Sequence, residues 1–208
     1  MRDATGNILD TGDIDTGHID EVDVARSQEY ALLSTLLARA PDRGLLERLA
    51  GLRGDASPLG LAHAAVGDAA RCTSAGDVER EYFDLFIGLG RGEVVPYESY
   101  YLTGSLLDRP LARLRQDLAR LGIERAAGQA EPEDHAAILC EVMAGLLSRR
   151  FPVSPDVDRE LFERHLSPWI GRFFADLEHA QAADLYRHIG ALGRAFIDIE
   201  TEAFALSS

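Results

Sequence analysis

Lysine is missing from this 208-residue chain, so all 21 of its basic side chains are arginine. Without an ε-amine, Schiff-base chemistry and the phosphate-gripping lysine of a Walker-type loop are excluded. Positive charge is in short supply as well. The 35 acidic residues leave a formal net charge of −14. Such a field argues against nucleic acid or an anionic membrane surface as partner and favours cationic ones, Arg-bearing peptides among them. Cysteine is scarce: Cys72 and Cys140 lie far apart with no C-x-x-C. Both are expected to be buried thiols in a reducing compartment. No apolar run approaches the roughly 18 residues of a membrane span. The acidic N-terminus has no apolar core of a secretory signal. A soluble cytoplasmic protein without membrane insertion is the expectation.

β-Branched residues are also under-used. Val, Ile and Thr together number 26, against 29 Leu and 29 Ala. Ala and Leu lose little on entering a helix, whereas branching at Cβ stiffens χ1. An all-α fold is therefore expected, and a β-sandwich or barrel is not. Residues 1–23 carry seven acidic residues and the near-repeat Thr11-Gly12-Asp13-Ile14-Asp15, Thr16-Gly17-His18-Ile19-Asp20. The closing Glu of a calcium loop is absent, and the segment reads as a flexible acidic tail. From Val24 the apolar spacing turns helical. Tyr30, Leu33, Leu36, Leu37 and Ala40 make one stripe; Leu107, Leu111, Leu114, Leu118 and Leu121 make another. Ser57-Pro58, Ser154-Pro155 and Ser167-Pro168 carry the Ser N-cap and Pro N1 of helix starts, and Asp108 is a further cap. The stretch 131–149 is apolar around most of its circumference, as a central helix would be. The pattern predicts eight or nine helices, with helical parts at about 24–122 and 132–208 and a connector at about 123–131.

Two polar constellations interrupt this pattern. Residues 88–104 read as one long aromatic loop containing Pro96-Tyr97-Glu98-Ser99-Tyr100-Tyr101. The second, Glu131-Pro132-Glu133-Asp134-His135, reads as a helix opening with three carboxylates in or beside its first turn. Acids there suit the helix dipole, so a capping cluster is one reading and a cation-recognition site the other. Enzyme readings fail on spacing. Asp134 and His135, read as neighbours on a helix, would point about 100° apart. Ser99 lacks a nucleophile elbow. No pair of Glu-x-x-His exists for a di-iron bundle, nor any H-E-x-x-H, so no metal site is expected. Gly88-x-Gly90-x-Gly92 near Arg91 motivates only a weak nucleotide-hydrolase alternative. A helical adaptor is a third reading. His18, His63, His165, His179 and His188 share no motif and read as surface or half-buried; Trp169 reads as core.

Three motifs resemble the TorD/DmsD-like family of cytoplasmic chaperones for molybdoenzymes. They are Glu81-Tyr82-Phe83-Asp84-Leu85-Phe86-Ile87-Gly88, Pro96-Tyr97-Glu98-Ser99, and Glu131-Pro132-Glu133-Asp134-His135, in the family's order. The likeness spans roughly residues 25–205. It implies an all-helical TorD-like bundle of two parts joined by a hinge, acting without catalysis. The implied partners are the twin-arginine signal peptide and apo-form of a molybdoenzyme catalytic subunit, held back from export until its cofactor is inserted. Formate dehydrogenases and DMSO/TMAO-reductase-type enzymes are the implied clients. The molybdenum cofactor belongs to that client, and the chain itself needs none; some family members bind guanine nucleotides weakly. Monomers and domain-swapped homodimers are both implied. Carried over, the peptide-binding residues are Pro96, Tyr97, Glu98, Asp134 and His135, with Ser99, Tyr100 and Glu131 beside them. The chain departs from the family pattern at Gly88-Leu89-Gly90, where relatives have Gly-Pro-Gly, and at Tyr97, where Trp is common. Carboxylates pair with guanidinium forks and aromatic faces stack on them. An apolar groove between helices would take the leader's hydrophobic stretch.

Overall fold

Local sequence sets where each helix begins. In the computed structural model, which describes residues 20–125, 128, 130–151, 154 and 156–206, Asp20 accepts from the amide of Val22 and opens α1, Glu21–Ala38. Residues 21–23 therefore belong to α1 and not to the acidic tail; Glu21 and Asp23 sit where the helix dipole favours anions. The rest of that tail lies outside the described residues. Asp42 caps α2, Arg43–Leu49, and Ser57 caps α3, Pro58–Cys72, with Pro58 in its first turn. Ser74 caps α4, Ala75–Tyr82, which runs into a π-helical turn, Phe83–Ile87, and stops at Gly88 with φ +59°. A Cβ on Gly88 would meet the Arg91 carbonyl oxygen at 2.3 Å, so the turn needs glycine twice over.

The segment expected to be a loop contains a short helix, α5, Glu98–Thr103. Asp108 caps α6, Arg109–Arg120, as expected, and Gly122 ends its last turn at φ +67°. Helix α7 is Ala136–Leu147, α8 is Val157–Leu161, followed by a second π turn, Phe162–Leu166; α9 is Ile170–His179 and α10 is Leu185–Leu206. Ten α-helices and no strand are present among the described residues. The tenth, beyond the eight or nine expected, is α5.

Helix α7 fills the central place its apolar circumference predicts, with ten buried residues packed chiefly against α1. Helix α10 packs on α9 and α3, and helices from both sides of the 123–131 connector share one core. Trp169, Phe173, Phe174 and Tyr186 are fully enclosed in it. Burying side chains of this size contributes about 1.5–3 kcal/mol each. The Glu81-Tyr82 motif is a joint of this core. The Glu81 carboxylate accepts from the amides of Asp184, Leu185 and Tyr186 at 2.7–3.2 Å and so caps α10 from α4. The Tyr82 hydroxyl donates to the Leu37 carbonyl at 3.1 Å.

Four expectations are corrected here. Cys72 is exposed, because it is the last residue of α3 and faces outward; Cys140 is buried. His165 is buried, 3% exposed, because the second π turn directs it inward. Ser167-Pro168 does not open a helix: that π turn runs on through helical Ser167, and α9 begins after Trp169. Helix α7 starts at Ala136 and not at Glu131, since His135 is its cap. Of Ser154-Pro155, Pro155 lies outside the described residues, and Asp156 stands at the cap position of α8.

Candidate functional site

The two polar constellations meet. Tyr97 and His135 pair in an isolated antiparallel β-bridge. The amide of Glu98 donates to the Asp134 carbonyl at 3.0 Å, and that of Ala136 to the Pro96 carbonyl at 2.8 Å. These bonds flank residues 97 and 135, which makes them the narrow, non-hydrogen-bonded kind of antiparallel pair. Their rings meet edge to face, with centroids 5.0 Å apart.

Each segment also starts a helix of the other's neighbourhood. Asp134 Oδ2 accepts from the amide of Ser99 at 3.0 Å, so the acid before α7 satisfies a first-turn donor of α5. His135 Nδ1 accepts from the amide of Ala137 at 3.0 Å and caps α7. That bond places the ring proton on Nε2. Burial pushes the His135 pKa down to about 4 against the charges of Glu131 and Asp134, so the ring is neutral at physiological pH. No carboxylate stands in the first turn of α7; Asp134 satisfies α5 across the bridge, and His135 caps α7 itself.

Exposure sorts the eight predicted site residues. Pro96, Glu98, Ser99, Asp134 and His135 are buried; Tyr97 and Tyr100 are half-buried; Glu131 is exposed. The Tyr97 hydroxyl donates to Glu131 Oε2, and burial followed by that bond raises the Tyr97 pKa. Arg91, from the glycine-rich loop, lies 5.4 Å from the Tyr100 ring centroid. Ser99 Oγ and Asp134 Oδ1 are buried without a hydrogen-bond partner among the described residues.

Beneath the bridge is a buried charge cluster that sequence reasoning missed. His165 Nδ1 lies 3.2 Å from Glu98 Oε1, and its Nε2 lies 2.8 Å from Asp117 Oδ2. Burial alone would lower the ring's pKa. Hydrogen bonds to Glu98 and Asp117, and their charges, outweigh it and carry it above the usual histidine value. Desolvation raises the Glu98 carboxyl pKa, partly offset by His165. Asp117 is lowered: its desolvation is outweighed by His165 and Arg120. No local pattern could have revealed this cluster, since Glu98 and Asp117 stand 67 and 48 positions from His165.

A cavity of about 390 Å³ opens between α6 and α7, floored by Leu118, Ile138 and Val142. Glu133 stands on its rim and belongs also to the second constellation, so cavity and bridge share an edge. Arg115 holds Glu133 at 2.8 Å; its carboxyl is lowered, because the pairing with Arg115 outweighs desolvation. No cluster of metal-ligating side chains occurs among the described residues. No described helix is long and apolar enough to cross a membrane.

Comparison with known proteins agrees with this architecture. A family model described as nitrate reductase delta subunit matches residues 52–175. The chain is similar to the chaperone protein TorD of Vibrio cholerae serotype O1, 27% identical over 130 residues, covering 58% of this chain and 59% of that one. It thus spans about three fifths of the length of that relative. Similarity to the chaperone protein TorD of Shewanella pealeana, 24% over 217 residues, covers 94% of this chain and 96% of that one. Among solved structures, a redox enzyme maturation protein from Archaeoglobus fulgidus superposes with a TM-score of 0.56 at 19% identity, over 88% of this chain and 95% of that one. With more than half its length matched by the family model, and with the same helical fold, the chain belongs to the nitrate reductase delta subunit family, the TorD-like group that its motifs resemble.

Proposed function

We propose that this chain is a cytoplasmic maturation chaperone that binds the twin-arginine leader of a molybdenum-cofactor oxidoreductase and holds the apo-precursor until its cofactor is inserted. The observation that carries the reading is the Tyr97–His135 bridge, which brings both polar constellations to one corner beside a cavity with an apolar floor and a lining that includes arginines and glutamates. Tyr97, Tyr100 and Glu131 offer accessible rings and a carboxylate at that corner. Guanidinium groups stack on such rings and fork onto such acids. Pro96, Glu98, Ser99, Asp134 and His135 act from below, by holding the bridge and the start of α5 in place. The leader's apolar stretch then runs past Glu133 toward the floor of Leu118, Ile138 and Val142. The names of the relatives, chaperone protein TorD and redox enzyme maturation protein, point the same way. The reading assigns the chain no catalytic step and no cofactor of its own.

Titration calorimetry of the full chain with a synthetic twin-arginine leader peptide tests it. The Arg-Arg peptide is expected to bind, and its Lys-Lys version more weakly by about tenfold, since an ammonium cannot fork. Glu131→Gln and Tyr97→Ala are each expected to weaken binding while leaving the circular dichroism of the fold unchanged. Equal affinity for both peptides, or none for either, would overturn the reading.

A further inference from the structure

We propose that His165 is the positioning residue of the leader site: its doubly protonated ring ties Glu98 to Asp117 and so fixes the register of α5 and the Tyr97–His135 bridge. The inference rests on the leader reading and deepens it by naming a regulation of the same site. Three observations carry it. The ring lies between two carboxylates, one at each nitrogen, at 3.2 and 2.8 Å. Ionised carboxylates only accept, so with both acids charged each ring nitrogen donates, which only the imidazolium can do. Glu98, whose carboxylate the ring holds, adjoins Tyr97 in sequence and lends its backbone amide to the bridge, so displacement of its side chain displaces the corner. A cavity of about 90 Å³ lined by His165, Asp117, Arg120, Arg164, Glu160 and Leu161 gives solvent protons a route to the ring.

The surroundings show why this histidine and no other charge decides the state. From α6, Asp117 faces the ring and is itself held by Arg120 and Arg164, the latter at 3.2 Å. Glu160, on α8, engages Arg164 at 2.9 Å. From α5, Glu98 faces the ring, with the charges of Asp134 and Arg113 acting on it. Arginine stays charged throughout the accessible pH range, and the neutral His135 takes up its proton only near pH 4. As pH rises above the ordinary histidine range, the cation of this cluster that loses its charge is therefore His165. When its proton leaves, one carboxylate loses its donor. That is Glu98, whose longer contact is weaker and whose carboxyl burial already disfavours as an anion.

Two-dimensional NMR of the full-length protein, with histidine ring nitrogens and backbone amides followed from pH 6 to pH 9.5, reads the clamp without any ligand. The ring of His165 is expected to stay protonated well past the midpoint of a free histidine. The amide shifts of Tyr97, Ser99 and His135 are expected to follow its titration. In parallel, calorimetry with the twin-arginine peptide is expected to show affinity weakening about tenfold across the same interval, the worth of one charge-assisted contact. His63, also raised by its pairing with Glu29, is replaced in a His63→Gln control that keeps the pH dependence. His165→Gln is expected to bind weakly at every pH with no titration. Should that variant fail to fold, Glu98→Gln lowers the ring's midpoint and flattens the profile in its place. Amides of the bridge that ignore the ring titration, or a ring that titrates at the ordinary value, overturn the positioning role. A peptide that fails to bind at every pH overturns the leader reading instead, while the NMR still shows whether His165 sets the geometry of the corner.

Discussion

Two buried charge clusters hold this helical bundle, and they are built on different cations. At one, Arg26 of α1 forks onto Glu200 of α10 at 2.7 and 2.9 Å and also reaches Asp23 and Asp158. The Tyr30 hydroxyl donates to the same Glu200 at 3.0 Å. At the other, His165 stands between Glu98 and Asp117. Both clusters join distant stretches of chain, and both satisfy acids that would otherwise be stranded in the core. An arginine keeps its charge throughout the range in which the protein works, so the first cluster is a fixed strut. A histidine does not, so the second can loosen. A titratable cation thus lies beneath the Tyr97–His135 bridge, and a permanent one lies where α1, α8 and α10 meet.

The largest effect expected from breaking this contrast is at the fixed strut. Glu200→Ala leaves Arg26 without its forked acceptor and the Tyr30 hydroxyl without any acceptor among the described contacts. Removing one partner of a buried pair costs about 3–5 kcal/mol. Urea denaturation should show a loss of that size, equal at pH 6 and pH 8; a loss that changed with pH would erase the distinction between the clusters. Next comes the opposition between two histidines. His135 has a folded-state pKa of about 4, below the unfolded value of 6.5. Its contribution is complete above 6.5 and is lost as pH falls toward 4, a total of roughly 3 kcal/mol. His165 is shifted upward, so its contribution is complete below 6.5 and is lost as pH rises through its folded value. Denaturation curves at pH 7, 6, 5 and 4 for the parent and for His135→Asn, in which Asn can still cap α7, isolate the first of these. The variant should lose less stability than the parent on acidification. The smallest effect belongs to the corner itself. Tyr97→Phe removes a hydroxyl bonded to an exposed carboxylate and should cost about 1 kcal/mol or less in thermal unfolding. A larger cost would mean that the corner supports the fold as the strut does.

Much of this was readable from the chain. The stripe Tyr30, Leu33, Leu36 and Leu37 is buried, because 3.6-residue periodicity puts those side chains on one face of α1. Ser57 and Asp108 cap helices, because the donors they satisfy lie within three residues. The apolar circumference of 136–147 announced a central helix. What eluded sequence reasoning depends on long range or on a broken period. His165 carries no local signal of burial, because the groups that hold it come from α5 and α6. Helix α5 is six residues long and is started in part by Asp134, 35 positions downstream of Ser99, so no window around it shows a cap. Ser167-Pro168 has the composition of a helix start, but Ser167 closes the preceding π turn and α9 begins only at Ile170. The meeting of Tyr97 with His135 follows from neither motif alone; likeness to a family put both in one site, and two backbone hydrogen bonds give it form.

The π turn Phe162–Leu166 has a consequence for what this protein can tolerate. A π turn is an α-helix with one residue too many, and excising that residue would restore ordinary winding. The flanking segments would keep their faces, but residues inside the turn would shift by up to about 100° about the helix axis. The imidazole, inside the turn, would swing out from between its two acids without any change in its identity, and the indole of Trp169 would lose the His165 carbonyl to which it donates at 2.6 Å. Spacing along this stretch is therefore as much a part of the design as composition: a single-codon deletion here should be more damaging than most substitutions.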